Sequence, residues 1–131
     1  VASSPSRFVT PFAQLALVPE AASTLLAPKL MGQRRAFALL VMGEPMNAQA
    51  AQAAGLVNVI GESADIDRLA LEAAQRIASL SPEAVLAARR MMKGTPEAVI
   101  ARIDEEADFY REHLGSPAAR AAFAAFFARK K

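Results

Sequence analysis

The stretch LVPEAASTLL, residues 17–26, places one carboxylate, that of Glu20, among apolar side chains. Proline favours the first position of a helix and an acidic residue favours its first turn, so the stretch predicts that a helix begins at Pro19. Two hypotheses for Glu20 are then open. It is either an ordinary first-turn acid that stabilises the helix dipole, or a proton carrier in an apolar pocket.

Proline and glycine mark the ends of this helix and of those that follow it. Pro28 predicts a kink or a break in the first helix, Gly32 predicts its end, and Asn47 is predicted to cap a later helix. Three further helix starts combine Ser or Thr with Pro. The predicted helices cover residues 33–42, 48–54, 65–80, 82–93, 96–114 and 117–130, and the predicted strands cover residues 6–9 and 56–60. The sequence therefore predicts a mainly α fold with a few short strands and a subdomain boundary near residue 61.

The composition is that of a globular protein. The 131 residues are 53% hydrophobic and 21% charged, with a formal net charge of +2, which suits one domain with a core. The basic residues are spread out, and one Tyr and no Trp argue against nucleic-acid binding. The lack of Cys excludes a disulfide framework and fits a cytoplasmic location. No apolar run approaches the roughly 18 residues of a membrane span. The missing initiator Met suggests a processed chain or a fragment.

Few residues are available for metal or nucleophilic chemistry. His113 is the single histidine and lies in a charged stretch, so we predict neither a metal site nor Ser-His-Asp catalysis. The acids between Asp104 and Asp108 are predicted to form a solvated helix face that pairs with Arg102 and Arg111. Glu20 is therefore the main candidate for acid–base chemistry.

Several segments in a fixed order carry a resemblance. They are FVTPFAQLALVPEAAST (8–24), GQRRA (32–36), GEPMNA (43–48), AGLV (54–57) and AFFARKK (125–131). Together they resemble the C-terminal half of the crotonase superfamily, the family of enoyl-CoA hydratases and isomerases. The resemblance implies that residues 1–61 are the last turns of a spiral of ββα units and that residues 62–131 are a helical trimerisation region. The half that would supply the oxyanion hole is not matched, so the chain is expected to be a fragment that is inactive by itself.

Within that family, two positions indicate an isomerase. Hydratases of the family resemble one another in carrying a catalytic Glu where this chain has Phe12, and Gly where it has Glu20. The Δ3,Δ2-enoyl-CoA isomerases are similar to this chain in having Pro-Glu at Pro19 and Glu20, with the Glu as acid and base. The resemblance therefore implies an isomerase in which Glu20 is the catalytic residue. The alternatives are a hydratase or another crotonase-family enzyme, and a non-catalytic helical oligomerisation module.

The resemblance also suggests residues that bind the substrate. Phe12, Leu17 and Pro19 are expected to line an acyl pocket, although they could equally be core. Phe126 and Arg129 match positions that contact the adenine and phosphate end of coenzyme A from a neighbouring subunit. Alternatively, Phe126 is core and Arg129 a partner of the helix dipole. The implied substrate is an acyl-CoA, with no separate cofactor because coenzyme A belongs to the substrate. The implied assembly is a homotrimer or a dimer of trimers.

Overall fold

The computed structural model of the chain describes residues 1–128. These residues form seven α-helices, four two-residue strands and two 3-10 turns, so the prediction of a mainly α fold with a few short strands is confirmed. The strands are β1 (Ala2–Ser3), β2 (Arg7–Phe8), β3 (Met46–Asn47) and β4 (Ile60–Gly61). The helices are α1 (Ser23–Met31), α2 (Gln33–Leu40), α3 (Ala48–Ala53), α4 (Ile66–Ala78), α5 (Pro82–Lys93), α6 (Glu97–Leu114) and α7 (Pro117–Ala128). The 3-10 turns are Ala13–Leu15 and Ser63–Asp65.

Short backbone pairings bring the two ends of residues 1–61 together. β1 pairs in parallel with β4, with Ala2 opposite Ile60, and β2 pairs antiparallel with β3, with Phe8 opposite Met46. The Ala2 N–H donates to the Val59 carbonyl at 2.9 Å. The predicted strand over 56–60 is therefore wrong in extent, since β4 begins only at Ile60. We call residues 1–61 the core region and residues 62–128 the helical region.

The buried apolar side chains lie almost entirely in the core region. Most of them are alanines, and their small side chains let the helices approach closely. α1 packs against α2, and the turn after α3 closes one side of that pair. The two buried clusters are Met31, Ala36, Leu39 and Ala54, and Ala2, Ala51 and Val57.

Polar caps begin three of the four helices for which the sequence predicts one. The side-chain oxygens of Asn47, Ser81 and Ser116 each accept a hydrogen bond from the backbone N–H three residues later, at 2.8, 3.4 and 3.1 Å. These three caps confirm the prediction, because each satisfies an N–H that the helix itself leaves unpaired. α6 differs: it begins at Glu97, and its N-cap residue is Pro96, which offers no capping side chain.

The start of α1 differs from the prediction. The helix begins at Ser23 rather than at Pro19, and its N-cap residue is Ala22. Pro28 lies inside α1 without ending it, and Gly32 ends the helix as predicted, with φ at +82° and ψ at 153°. That conformation is essentially restricted to glycine. The three residues between Pro19 and Ser23 therefore form a loop, and this loop carries Glu20.

The helical region leaves many large apolar side chains exposed. In this part of the chain, α4, α5 and α6 carry most of them. In residues 1–128, no helix combines the length and apolar character that crossing a bilayer requires. The exposed large apolar residues of these three helices and the turn after α4 are Leu71, Ile77, Leu80, Leu86, Met91, Met92, Ile100, Ile103, Phe109 and Leu114.

Candidate active site

Glu20 lies in the loop that precedes α1. Its carbonyl accepts a hydrogen bond from the Ser23 N–H at 3.1 Å, and its side chain is exposed. The hypothesis of a first-turn acid is wrong, since the first turn of α1 contains no acidic residue. Among residues 1–128, no apolar pocket encloses the Glu20 side chain, as the other hypothesis would require.

The two residues after Glu20 adopt an uncommon backbone conformation. Ala21 and Ala22 both lie in the left-handed region, with φ at 59° and 57°. Non-glycine residues pay about 1–2 kcal/mol each for this conformation, because Cβ crowds the following carbonyl oxygen. Ala22 is fully buried, whereas Glu20 and Ala21 are exposed. The chain therefore passes from the surface at Glu20 into the core at Ala22 within this turn.

A buried carboxylate from a distant helix holds this turn. Glu106 of α6 is only 5% exposed. Its Oε2 accepts from the Ala22 N–H at 2.6 Å, and its Oε1 accepts from the Thr24 N–H at 3.0 Å and from the Thr24 hydroxyl at 2.5 Å. Glu106 thus acts as the N-cap that Ala22 cannot provide, and its negative charge lies at the positive end of α1.

The prediction of a solvated acidic face on α6 is wrong for Glu106 and right for its neighbours. Asp108 is exposed and pairs with Arg111. The signal that could have singled out Glu106 is its spacing, since the half-buried Val99 and Tyr110 lie seven residues before it and four residues after it, on the same face of the helix. Arg102 extends the same contact, because its guanidinium donates to the Thr24 hydroxyl oxygen at 3.3 Å.

An apolar groove of about 870 Å³ lies beside this loop. Side chains from β2, α1 and α2 form its walls, among them Phe8, Leu26 and Leu39. Its charged lining residues, Arg7 and Lys29, are both basic, so the part of the groove that the structure describes has no carboxylate in its wall.

The loop after Glu20 reaches this groove. Ala21 and Ser23 both line it, so Glu20 directly precedes a residue of the groove wall. In the described part of the chain, the Ser23 hydroxyl oxygen is buried and has no hydrogen-bond partner.

The three residues that the sequence assigned to an acyl pocket do not line this groove. Phe12 is half-buried at the start of the 3-10 turn Ala13–Leu15, and its carbonyl accepts from the Leu17 N–H at 2.8 Å. Leu17 is buried among the core residues. Pro19 is half-buried beside Thr24 in a smaller cleft. As substrate contacts, these residues stay predictions.

Phe126 comes close to the segment that contains Phe12. α7 packs against the 3-10 turn, and Phe126 lines a cavity of about 140 Å³ together with Pro11 and Leu15. Its ring lies edge-on to that of Phe127, with centroids 5.7 Å apart. Arg129, the other predicted coenzyme A contact, lies outside the described residues.

His113 also lies close to this part of the molecule. Its Nδ1 is 2.8 Å from the Phe109 carbonyl oxygen, and it shares a cleft with Pro19 and Glu106. Among residues 1–128, no three His, Cys, Asp or Glu side chains lie close enough together to hold a metal ion.

The whole sequence matches one known protein family. A sequence model described as enoyl-CoA hydratase/isomerase matches residues 1–131. The chain belongs to this family. The resemblance found in the sequence is therefore confirmed. Glu20, its left-handed turn and the apolar groove lie within a member of the enoyl-CoA hydratase/isomerase family.

Curated relatives include proteins with different named reactions. Enoyl-CoA isomerase/hydratase fer4 of Mycosarcoma maydis is 30% identical over 131 residues, which is 99% of this chain and 48% of that protein. Peroxisomal enoyl-CoA delta isomerase 3 of Mus musculus is 34% identical over 84 residues, covering 64% of this chain and 26% of that protein. Carnitinyl-CoA dehydratase of Proteus mirabilis is 33% identical over 87 residues, covering 66% and 33%.

Solved structures share the fold. An enoyl-CoA hydratase/isomerase from Pseudoalteromonas atlantica has a TM-score of 0.92 and 37% identity, covering 97% of this chain and 52% of its own. Pseudomonas aeruginosa OdaA has a TM-score of 0.90 and 36% identity, covering 95% and 51%. The chain thus spans about half the length of these structures and less than half that of the curated relatives above. The prediction of a crotonase-like fold is confirmed.

Proposed function

We propose that the protein is an enoyl-CoA isomerase that moves a double bond of an acyl-CoA from the 3,4 to the 2,3 position. Glu20 is the acid and base of this reaction. The observation that supports the assignment most strongly is that Glu20 directly precedes the wall of an apolar groove that has no carboxylate among its described lining residues.

The reaction needs one proton carrier. The Glu20 carboxylate removes a proton from C2, and the electron pair of that C–H bond spreads over the C3–C4 double bond and the thioester oxygen. The Glu20 carboxyl then returns the proton to C4, which leaves the double bond between C2 and C3. No atom is gained or lost. The negative charge on the thioester oxygen requires hydrogen-bond donors, which we place outside this chain.

The surroundings of Glu20 suit isomerisation better than hydration. Adding water requires one group to activate the water and another to deliver a proton, and the position of the second carboxylate in hydratases is occupied by Phe12. An apolar wall disfavours water beside the substrate. Because the relatives are about twice as long as this chain, we propose that the open side of the groove, and Glu20 with it, is covered in the complete protein.

A second candidate is hydration or dehydration of an acyl-CoA. It is favoured by the exposure of Glu20, which leaves room for water, and by the relatives named carnitinyl-CoA dehydratase. The non-catalytic oligomerisation module is the third candidate, and it would leave the apolar groove without a substrate.

We also propose that the complete protein is a homotrimer or a dimer of trimers. Support comes from the exposed apolar faces of α4, α5 and α6, which in water favour contact with another surface. Phe126 and Arg129 remain the proposed contacts of the coenzyme A adenine and phosphate groups. The proposed compartment is the cytoplasm, with the lack of Cys as its support. Sedimentation equilibrium of the complete protein tests the assembly, and a monomer would contradict it.

The decisive assay presents the complete protein with two substrates. A 3-enoyl-CoA should be converted to its 2-enoyl isomer, and a 2-enoyl-CoA should gain water far more slowly. Liquid chromatography with mass detection separates the products, since isomerisation keeps the mass whereas hydration adds that of water. Hydration faster than isomerisation would favour the second candidate. No turnover and no coenzyme A binding would favour the third.

A further inference from the structure

We propose that Glu106 is a positioning residue for Glu20. Its carboxylate holds the loop after Glu20 in the left-handed turn that sets where the catalytic carboxylate lies. This inference rests on the proposed function of Glu20. It gives a role to the buried carboxylate of Glu106, which takes no part in the proton transfer itself.

The carboxylate of Glu106 contacts the loop at its end nearest the helix. It accepts three hydrogen bonds there, from the N–H of Ala22 and from the N–H and hydroxyl of Thr24. Ala22 is two residues from Glu20, so little chain separates the held backbone from the catalytic side chain. A buried acceptor with both oxygens engaged fixes the position of these groups more tightly than an exposed cap would.

The turn needs this support because its conformation is unfavourable in itself. Ala21 and Ala22 occupy the left-handed region without the freedom of glycine. Strained residues persist where surrounding contacts hold them in place, and they concentrate at functional sites. Without the carboxylate, the Ala22 and Thr24 N–H groups lose their partner, and we expect the turn to relax toward ordinary backbone angles. That relaxation would move Glu20 relative to the groove wall.

The contact also joins the two regions of the molecule. Glu106 belongs to α6 in the helical region, whereas Glu20 and Ala22 belong to the core region. Arg102, one turn earlier on α6, donates to the same Thr24 hydroxyl oxygen at 3.3 Å. The position of Glu20 therefore depends on how α6 is seated against the start of α1.

The test compares Glu106→Gln with Glu112→Gln in the complete protein. Glutamine keeps the size of the side chain but places an amide NH₂ opposite a backbone N–H donor, so at least one of the bonds is lost. Glu112 is exposed on the same helix and serves as the matched control. For Glu106→Gln we expect kcat for 3-enoyl-CoA isomerisation to fall about 10–100-fold, with KM changed by less than about threefold, because a misplaced catalytic group affects the chemical step.

A second variant covers the case in which Glu106→Gln folds poorly. Thr24→Val removes the hydroxyl donor and keeps the backbone N–H, so we expect a smaller fall in kcat in the same direction. Hydrogen exchange at the Ala22 and Thr24 amides reports the turn independently of turnover, and it should accelerate in Glu106→Gln and stay unchanged in Glu112→Gln.

The outcomes separate the two claims. Wild-type protein that does not isomerise 3-enoyl-CoA would overturn the proposed function, and this role with it. Wild-type turnover that folded Glu106→Gln and Thr24→Val both retain would overturn the positioning role alone. Faster amide exchange with unchanged kcat would show that Glu106 is only a helix cap, and it too would overturn the positioning role.

Discussion

The core region and the helical region are built from the same kinds of residues but bury them differently. In the core region, α1, α2 and α3 enclose small clusters of alanine, leucine and methionine. In the helical region the buried residues are Ala119 and Glu106, and large apolar side chains of α4, α5 and α6 are exposed. The core region therefore has its own hydrophobic core. The helical region presents an apolar surface of the kind that another protein surface covers.

Among the contacts that connect the regions, two involve proposed site residues. Glu106 joins α6 to the start of α1, and Phe126 places α7 against the segment around Pro11. The first contact is polar and largely buried, whereas the second surrounds a small cavity. The candidate site therefore lies in the core region, but its geometry depends on the contact with α6 of the helical region.

The largest difference between the regions is expected for matched methionine substitutions. Met31 is 8% exposed and Met91 is 85% exposed. Met31→Ala should lower the free energy of unfolding by about 2–5 kcal/mol, because it removes buried contacts and leaves a cavity. Met91→Ala should change it by less than about 0.5 kcal/mol. Urea unfolding of the 131-residue chain measures both. Equal losses of free energy of unfolding in the two variants would contradict the difference between the regions. A loss for Met91→Ala that occurs only in the assembled protein would show that α5 is covered there.

A smaller effect is expected at the contact between the regions. Glu106→Gln should lower the free energy of unfolding by about 1–3 kcal/mol, because a buried N–H donor is left without an acceptor. The exposed Glu112→Gln should stay within about 0.5 kcal/mol of wild type. The same urea experiment separates them. If both variants have the free energy of unfolding of the wild type, the contact between Glu106 and the start of α1 does not stabilise the fold.

A third pair compares one helix cap from each region. Asn47 accepts its capping hydrogen bond at 2.8 Å, and Ser81 accepts its bond at 3.4 Å. Replacement by Ala should cost about 0.5–2 kcal/mol at either position, with the larger loss at Asn47 because its bond is shorter. Thermal unfolding followed by circular dichroism ranks the two variants, and the reverse order would contradict the structural difference between the caps.

The smallest effect concerns the exposed start of α6. The Thr95 hydroxyl donates a hydrogen bond to the Glu97 carboxylate, and together with the backbone N–H of Glu97 it lowers the pKa of that carboxyl from its ordinary value of 4.5. The stabilisation is therefore present above the ordinary pKa and is lost as the pH falls through the lowered pKa. A carbon-13 NMR titration should show the pKa of Glu97 rising toward 4.5 in Thr95→Val. An unchanged pKa would contradict the assigned cause.

The helix boundaries could be predicted where one residue type decides them locally. α5 covers residues 82–93 as predicted, because Ser81 caps its start and Gly94 can take the positive φ at its end. The start of α1 could not be predicted in this way. There the pattern of Pro19 and Glu20 favoured a helix, but tertiary contacts hold the next two residues in a left-handed turn.

The site was only partly predictable for the same reason. Glu20 could be proposed from the sequence, because a lone acid among apolar residues is a local feature and the family resemblance implies a catalytic role for it. The partner of Glu106 could not be predicted: helical spacing indicates an inward position on α6, but Ala22 lies 84 positions away in the sequence and bonds through its backbone N–H, a group that every residue except proline has. The groove beside Ala21 likewise depends on how β2, α1 and α2 pack.

The central claim is that the Glu20 carboxylate is the proton carrier of the isomerisation. Its most direct test is the turnover of a 3-enoyl-CoA by Glu20→Gln in the complete protein, with the exposed Glu44→Gln as the control. The proposal predicts that Glu20→Gln loses about 10²–10⁴-fold in kcat while its unfolding curve matches the wild type, because glutamine cannot accept the C2 proton. Glu44→Gln should keep its activity. Turnover by Glu20→Gln at the wild-type rate would contradict the claim.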